Sequence, residues 1–258
     1  MSEAAPGNPA IDLVAGVDQL LPEHGPLFAV IGVFDGLHQG HAYLLERLVS
    51  HARAFDARPT VITFDSHPDE VLVGAAPPLL LDPAERLERL AEAGVELAVV
   101  QHFDDALRRT EYDEFLKRIR RRTRLAGLLM TPEAAFGYER RGTVDAVSKL
   151  GARVDPPFRV IVEPSFMVHG RPISSSEIRR RVLAGDLTGA AELLGRPYAV
   201  AGTARLDGQV QFPLPVALPP PGVYRCAEAT VEVHSDGSIS LRDDGHESGG
   251  RVRLTFPA

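Results

Sequence analysis

At 258 residues, with 44% hydrophobic and 24% charged side chains, the chain has a globular composition and the length of one large and one small domain, which excludes disorder, a collagen repeat and a disulfide scaffold. Its 35 acidic against 28 basic side chains give a formal charge of −7, so the molecule repels polyanions rather than collecting them, and the single cysteine, Cys226, excludes an intramolecular disulfide and thiolate zinc motifs. No run approaches the roughly 18 apolar residues of a membrane span, and an acidic opening with no Lys or Arg before Arg47 argues against a secretory leader, so the expected location is the cytoplasm.

Residues 1–26 mix Pro6, Pro9, Pro22 and Pro26 with Gly7 and Gly25, which reads as a mobile lead with one helical turn in 11–21. The continuous apolar run 27–33 then suits a strand buried on both faces of a parallel sheet. Tyr43, Leu44, Leu48 and His51 recur at helical spacing, Arg58-Pro59 ends that pattern, and 60–64 is β-rich. The alternation continues with a helix from Asp82-Pro83 through Ala93, a strand at 95–101, a helix at 113–124 and a strand at 125–130. A helix at 144–150, a strand at 158–163 and two helices at 177–183 and up to Leu194 complete an α/β fold with a parallel sheet. Beyond Gly195 short alternating runs at 198–204, 230–234, 238–241 and 251–256 predict a small antiparallel β domain, with the proline-rich stretch 213–221 as a loop. The expected division is a lead over 1–26, an α/β domain over 27–197 and the β domain over 198–258.

The strongest chemical signal is Gly32-Val33-Phe34-Asp35-Gly36-Leu37-His38-Gln39-Gly40-His41, where a buried strand turns into a helix. Glycines admit close backbone approach, a helix start offers unpaired N–H groups, and ligands of open α/β sheets sit at strand carboxyl ends, so phosphate belongs there. His38 and His41 lie three apart and can face one bound group. Taken alone they also serve as helix-start caps, and without a third ligand they make no zinc site. A second signal, Ile173-Ser174-Ser175-Ser176-Glu177-Ile178-Arg179, reads either as an N-cap or as hydroxyls and a guanidinium around phosphate. No GxxxxGK[ST] sequence is present, which excludes a P-loop enzyme. The basic run Lys117-Arg118-Ile119-Arg120-Arg121-Arg122-Thr123-Arg124 reads as a solvated helix face rather than a nucleic-acid surface.

These two elements resemble the nucleotidylyltransferase superfamily. Thr63-Phe64-Asp65-Ser66-His67-Pro68, Phe136-Gly137 followed by Arg141-Gly142, and Gly185-Asp186 leading to Leu193-Leu194-Gly195-Arg196-Pro197-Tyr198 resemble the FMN adenylyltransferase half of the bacterial bifunctional riboflavin kinase/FMN adenylyltransferases, over about residues 27–203. The resemblance implies a Rossmann-like nucleotidylyltransferase domain, ATP and FMN as small-molecule substrates, and Mg²⁺ carried mainly by ATP phosphates with no protein metal ligand. It places His38, His41, Ser175, Ser176 and Arg179 at the reacting phosphates and Gly32, Phe34, Asp35, Gly36 and Ser174 at ATP, with Asp65, His67, Pro68 and Phe136 at FMN. No nucleic acid or membrane partner is implied, and the oligomeric state is not read.

Two departures qualify the resemblance. Thr131-Pro132-Glu133-Ala134-Ala135 replaces the family's Gly-x-Asp/Asn-Phe in a segment expected to contact the flavin. Phe212-Pro213-Leu214-Pro215-Val216 stands where a kinase half carries Phe-Pro-Thr-Ala-Asn, so the β domain is expected to be a degenerate kinase-like remnant without riboflavin kinase activity. The alternatives are an adenylyltransferase for another phosphorylated acceptor such as nicotinate mononucleotide, or a non-catalytic nucleotide- or flavin-binding regulator.

Overall fold

The computed structural model describes residues 11–242 and 250–258. Its elements run β1 (Asp12–Val14), β2 (Leu27–Ile31), α1 (Gln39–Ala54), β3 (Arg58–Phe64), α2 (Pro68–Val73), α3 (Pro83–Glu92), β4 (Leu97–Gln101), α4 (Asp105–Arg108), α5 (Tyr112–Arg122) and β5 (Leu125–Met130). A ribbon of β6 (Ala135–Phe136) and β7 (Gly142–Thr143), α6 (Val144–Arg153) and β8 (Arg159–Val162) follow. The chain then forms β9 (Met167–Val168), β10 (Arg171–Pro172), α7 (Ser175–Leu183), α8 (Leu187–Leu194), β11 (Ala199–Ala204), β12 (Gln209–Gln211), β13 (Gly222–Arg225), β14 (Thr230–Val233), β15 (Ile239–Leu241) and β16 (Arg251–Thr255). Two compact units result, one from residues up to 34 with 42–76 and 87–165, the other from 35–41, 77–86 and 166 onward.

The first unit is built on a parallel sheet in the order β1-β4-β3-β2-β5-β8. Central β2 is buried at its first four residues, as its continuous apolar run requires when both faces are covered. Leu27, Ile62, Leu97, Leu116 and Ile119 form the core of this unit. The strand order reverses direction between β2 and β5, the switch point where ligands of such sheets bind.

The mobile lead expected over 1–26 is corrected for residues 11–26. β1 pairs with the edge of β4, and Val17 and Leu20 are fully buried in the core. Gly16, at φ 87°, leads into a short 3-10 turn, Val17–Gln19, and Pro22 opens a second, Pro22–His24, while the apolar Val14, Val17 and Leu20 anchor the stretch. Residues 1–10 lie outside the described residues. The stripe expected on α1 also shifts. Leu45, Leu48 and Ala52 are its buried residues, while Tyr43 and His51 turn to a carboxylate, Glu163.

The second unit carries an antiparallel sheet in the order β13-β14-β15-β12-β11-β16. Ile178 and Val182 of α7 and Ala190 and Leu194 of α8 share one core with Val200, Val231, Ile239 and Phe256 of the sheet region. The boundary read between 197 and 198 therefore falls inside a packed core, because the apolar stripes of two short helices need a face to cover them and the sheet supplies it.

Candidate active site

Residues 32–38 turn the end of β2 into α1 with an unusual backbone. Phe34, Gly36 and Leu37 adopt φ of 55°, 78° and 40°. Left-handed conformations at non-glycine residues cost on the order of 1 kcal/mol each and persist only where surrounding groups hold them. At Gly36 a Cβ would also meet Leu80 Cδ1 at 3.0 Å.

The holding groups come from α7 and the segment after α8. Arg196 donates from Nη2 to the Gly36 carbonyl at 2.7 Å and from Nη1 to the Leu37 carbonyl at 3.0 Å. Ser175 Oγ donates to the Asp35 carbonyl at 2.9 Å. The Asp35 carboxylate, 3% exposed, accepts from Arg179 Nη2 at 2.7 Å and from the Leu80 N–H at 2.9 Å. Arg179 Nε donates to the Pro78 carbonyl at 2.7 Å. Asp35 and Arg179, both expected against the nucleotide, thus meet each other in a buried ion pair beneath the loop. Charge satisfaction explains this: a carboxylate excluded from water needs a guanidinium and further donors. Ser174 Oγ accepts the Glu177 N–H at 3.2 Å as the N-cap of α7, and Ser176 is exposed in its first turn.

His38 and His41 come together as the spacing suggested. Their rings stack with centroids 3.7 Å apart and planes 14° from parallel. The His41 N–H points to His38 Nδ1 at 3.3 Å, which leaves the proton of neutral His38 on Nε2. Burial holds the His38 pKa down to about 4, with Arg196 adding to the effect. Burial and then His38 push that of His41 well below its ordinary value. Two imidazolium rings in this stack would repel, so the pair is neutral at pH 7 and available to donate. Gly40 makes the stack possible, since a Cβ there would meet the His38 ring at 3.2 Å.

The first unit carries a separate feature at the carboxyl ends of β2, β3 and β4, a cleft of about 560 Å³. Its walls include Gly32 and Val33 after β2, Phe64 at the end of β3, Phe103 after β4, and Pro68, Leu72 and Phe136. Phe64 and Phe103 meet edge to face at 5.3 Å, and Phe136 meets Phe115 at 6.2 Å. At Gly32 a Cβ would meet the Phe34 ring at 3.1 Å. The volume and aromatic lining suit a planar organic ring.

Of the residues expected at FMN, Pro68 and Phe136 line this cleft, whereas Asp65 and His67 are engaged at element ends. Asp65 accepts from the Phe103 N–H at 3.2 Å and pairs with His102 Nδ1 at 2.6 Å. His67 Nδ1 caps α2 by accepting the Asp69 N–H at 3.2 Å. Sequence reasoning missed Phe64, Phe103, Tyr138 and Arg140 as wall residues, and Arg196 as a loop brace. Aromatic residues at or just beyond strand ends were the available signal for the first two.

Among the described residues no group of three or more His, Cys, Asp or Glu side chains could hold a metal ion. The donors around the histidine loop are imidazole, hydroxyl and guanidinium, which suit an anionic phosphate, whereas magnesium takes oxygen ligands. Four side chains of the basic run have partners: Lys117 with Glu114 at 2.9 Å, Arg121 with Glu114 at 3.6 Å, Arg118 with Asp18, and Arg120 with the Asp155 carbonyl at 2.8 Å. Among the described residues no helix is long and apolar enough to cross a membrane.

The chain is 32% identical over 200 residues to the bifunctional riboflavin kinase/FMN adenylyltransferase of Pseudomonas fluorescens, covering 77% of this chain and 63% of that protein. It is 31% identical over 191 residues to the protein of the same description from Haemophilus influenzae, covering 71% and 61%. The chain thus spans less than two thirds of the length of these relatives. A crystal structure described as a macrolide-efflux protein from Streptococcus pneumoniae superposes with a TM-score of 0.73 at 21% identity, covering 96% of this chain and 89% of that one, which shows a shared fold. Residues 21–177 match the FAD synthetase family, and on that match the chain belongs to the FAD synthetase family of nucleotidyltransferases.

Proposed function

We propose that the protein is an FMN adenylyltransferase, which joins AMP from magnesium-bound ATP to FMN and releases pyrophosphate. An oxygen of the FMN phosphate attacks the α-phosphorus in line; the new P–O bond forms as the bond to the β-phosphate bridging oxygen breaks, and that oxygen leaves with pyrophosphate. A phosphate monoester is already nucleophilic near pH 7, so the protein's task is positioning and charge stabilisation.

The observation that carries this reading is the neutral His38–His41 stack on its braced loop. His38 Nε2–H and the His41 ring donate to triphosphate oxygens, and the arriving negative charge raises both pKa values toward the ordinary range. Ser174, Ser175 and Ser176 open α7, whose free N–H groups favour an anion. In this reading Asp35, Arg179 and Arg196 are positioning residues, and Gly32, Phe34 and Gly36 give the backbone its path to the nucleotide. The aromatic cleft is the acceptor site, with Phe136 against the flavin. Magnesium arrives with ATP, and no protein side chain is assigned to it.

The proposal includes the absence of riboflavin kinase activity from residues 198–258. Val216 packs against the second unit's core and Leu214 is an exposed hydrocarbon, so neither supplies an oxygen ligand. It also includes a cytosolic location, which suits the single Cys226.

The test is to incubate the purified protein with ATP, Mg²⁺ and FMN, riboflavin or nicotinate mononucleotide, and to separate the products by chromatography. FAD from FMN, with riboflavin and nicotinate mononucleotide unchanged, is the expected result. Untouched FMN overturns the reading, and adenylylation of nicotinate mononucleotide instead of FMN reassigns the acceptor.

A further inference from the structure

Residues 212–221, between β12 and β13, form no helix or strand, yet their backbone is fastened along the segment that precedes α3. The Leu79 N–H donates to the Pro215 carbonyl at 2.8 Å, and the Ala217 N–H donates to the Leu79 carbonyl at 2.8 Å, so Leu79 and Val216 pair as an isolated parallel bridge. Ala217 is fully buried, and its own carbonyl accepts the buried Tyr198 hydroxyl at 2.6 Å. Burial, with the Asp35 charge adding to it, raises the Tyr198 pKa, so the phenol keeps its proton and remains a donor.

The two peptide units that flank Leu79 each have a second partner. A peptide unit is planar, so a bond at one end fixes the direction of the group at the other. In the plane joining Pro78 to Leu79, the Leu79 N–H is taken by Pro215 and the Pro78 carbonyl accepts Arg179 Nε at 2.7 Å. In the plane joining Leu79 to Leu80, the Leu79 carbonyl is taken by Ala217 and the Leu80 N–H donates to Asp35 Oδ1 at 2.9 Å and Oδ2 at 3.2 Å. Both planes are therefore held by residues 215–217 at one end and by the buried Asp35–Arg179 pair at the other. A carbonyl that accepts a hydrogen bond also polarises the N–H of its own amide, which strengthens the bond to the carboxylate.

We infer that residues 215–217, latched by Tyr198, are a positioning element of the adenylyltransferase site, setting the two peptide planes that hold Asp35 and Arg179 beneath the histidine loop. The stretch that stands where a kinase half would carry its polar ligands thus serves ATP binding without touching ATP. This inference rests on the adenylyltransferase reading of that loop.

The experiment measures kcat and KM for magnesium-bound ATP and for FMN, with Tm, in three variants of the full chain. Tyr198→Phe removes the latching hydroxyl and keeps the ring. Pro215→Gly loosens the backbone at an exposed position. Ile239→Val is the control, a methylene lost from the fully buried core of the same sheet on β15. Tyr198→Phe and Pro215→Gly are expected to raise KM for ATP by about three- to tenfold, the worth of one hydrogen bond, with KM for FMN as in the wild type. Ile239→Val is expected to lower Tm and to leave both KM values unchanged. An unchanged KM for ATP in either folded variant, or an equal rise for ATP and FMN, overturns the inference, and Pro215→Gly decides should Tyr198→Phe fail to fold. Failure of the wild type with FMN overturns the underlying reading instead; calorimetric titration with magnesium-bound ATP alone then reads the same loss of affinity in the two variants, and its absence overturns the inference.

Discussion

His38 stays neutral in the folded protein because protonation would put a second positive charge near Arg196 in a site that water barely reaches. Its pKa is about 4 when folded against 6.5 ordinarily, so between those values the unfolded chain binds more protons. The unfolding free energy therefore falls as pH drops from 6.5 toward 4, by up to about 3 kcal/mol from this residue, and His41 acts in the same direction. Urea unfolding at a series of pH values is expected to show this slope, and His38→Gln to flatten it. The same residue belongs to the proposed chemistry. His38→Ala removes one preorganised donor to the transferring phosphates, and kcat/KM for ATP is expected to fall by about 10²- to 10³-fold in a steady-state assay. Asp35 tests the brace beneath the loop. Asp35→Ala leaves the Arg179 guanidinium buried without its carboxylate, and a loss of about 3–5 kcal/mol is expected in denaturant titration.

Helix α1 shows how an element is fastened by one side chain. Tyr43, Arg47 and His51, spaced four apart, form one stripe along it, and all three converge on Glu163 just after β8. Tyr43 donates to Oε2 at 3.1 Å, while Arg47 Nε and His51 Nε2 lie 3.1 and 2.7 Å from Oε1. The His51 hydrogen bond is the chief cause that lowers the Glu163 pKa. Glu163→Ala strands three polar partners and is expected to cost about 2 kcal/mol, moderated because Arg47 is partly exposed; Glu163→Gln keeps the shape and costs less. Thermal unfolding of the two variants checks the order. The helical period in 43–51 was legible, but its meaning was not. The spacing that announces a helix does not say whether a given stripe faces leucines or a carboxylate just past the end of a strand more than a hundred residues away.

At the scale of the whole molecule, the proposed substrates are ligands of the folded state alone, so they stabilise it by mass action. Magnesium-bound ATP at about 100 times its Kd is expected to raise the unfolding free energy by about 2.7 kcal/mol, read as a higher Tm in calorimetry, and the rise to vanish in His38→Ala. The sequence by itself determined the α/β class, the parallel strands and the position of the glycine- and histidine-rich turn from β2 into α1. Each rests on local physics: continuous apolar runs mark strands buried on both faces, capping residues mark helix starts, and a glycine-rich strand-to-helix turn carries its chemistry in adjacent positions. Only the tertiary structure decided that Asp35 and Arg179 neutralise each other and that Arg196 grips the loop carbonyls. It also put Phe64, Phe103 and Phe136 around one cleft and packed α7 and α8 into the core of the β sheet. Those pairings join residues far apart in the chain, and they are selected by burial and charge satisfaction in three dimensions, which no local pattern records.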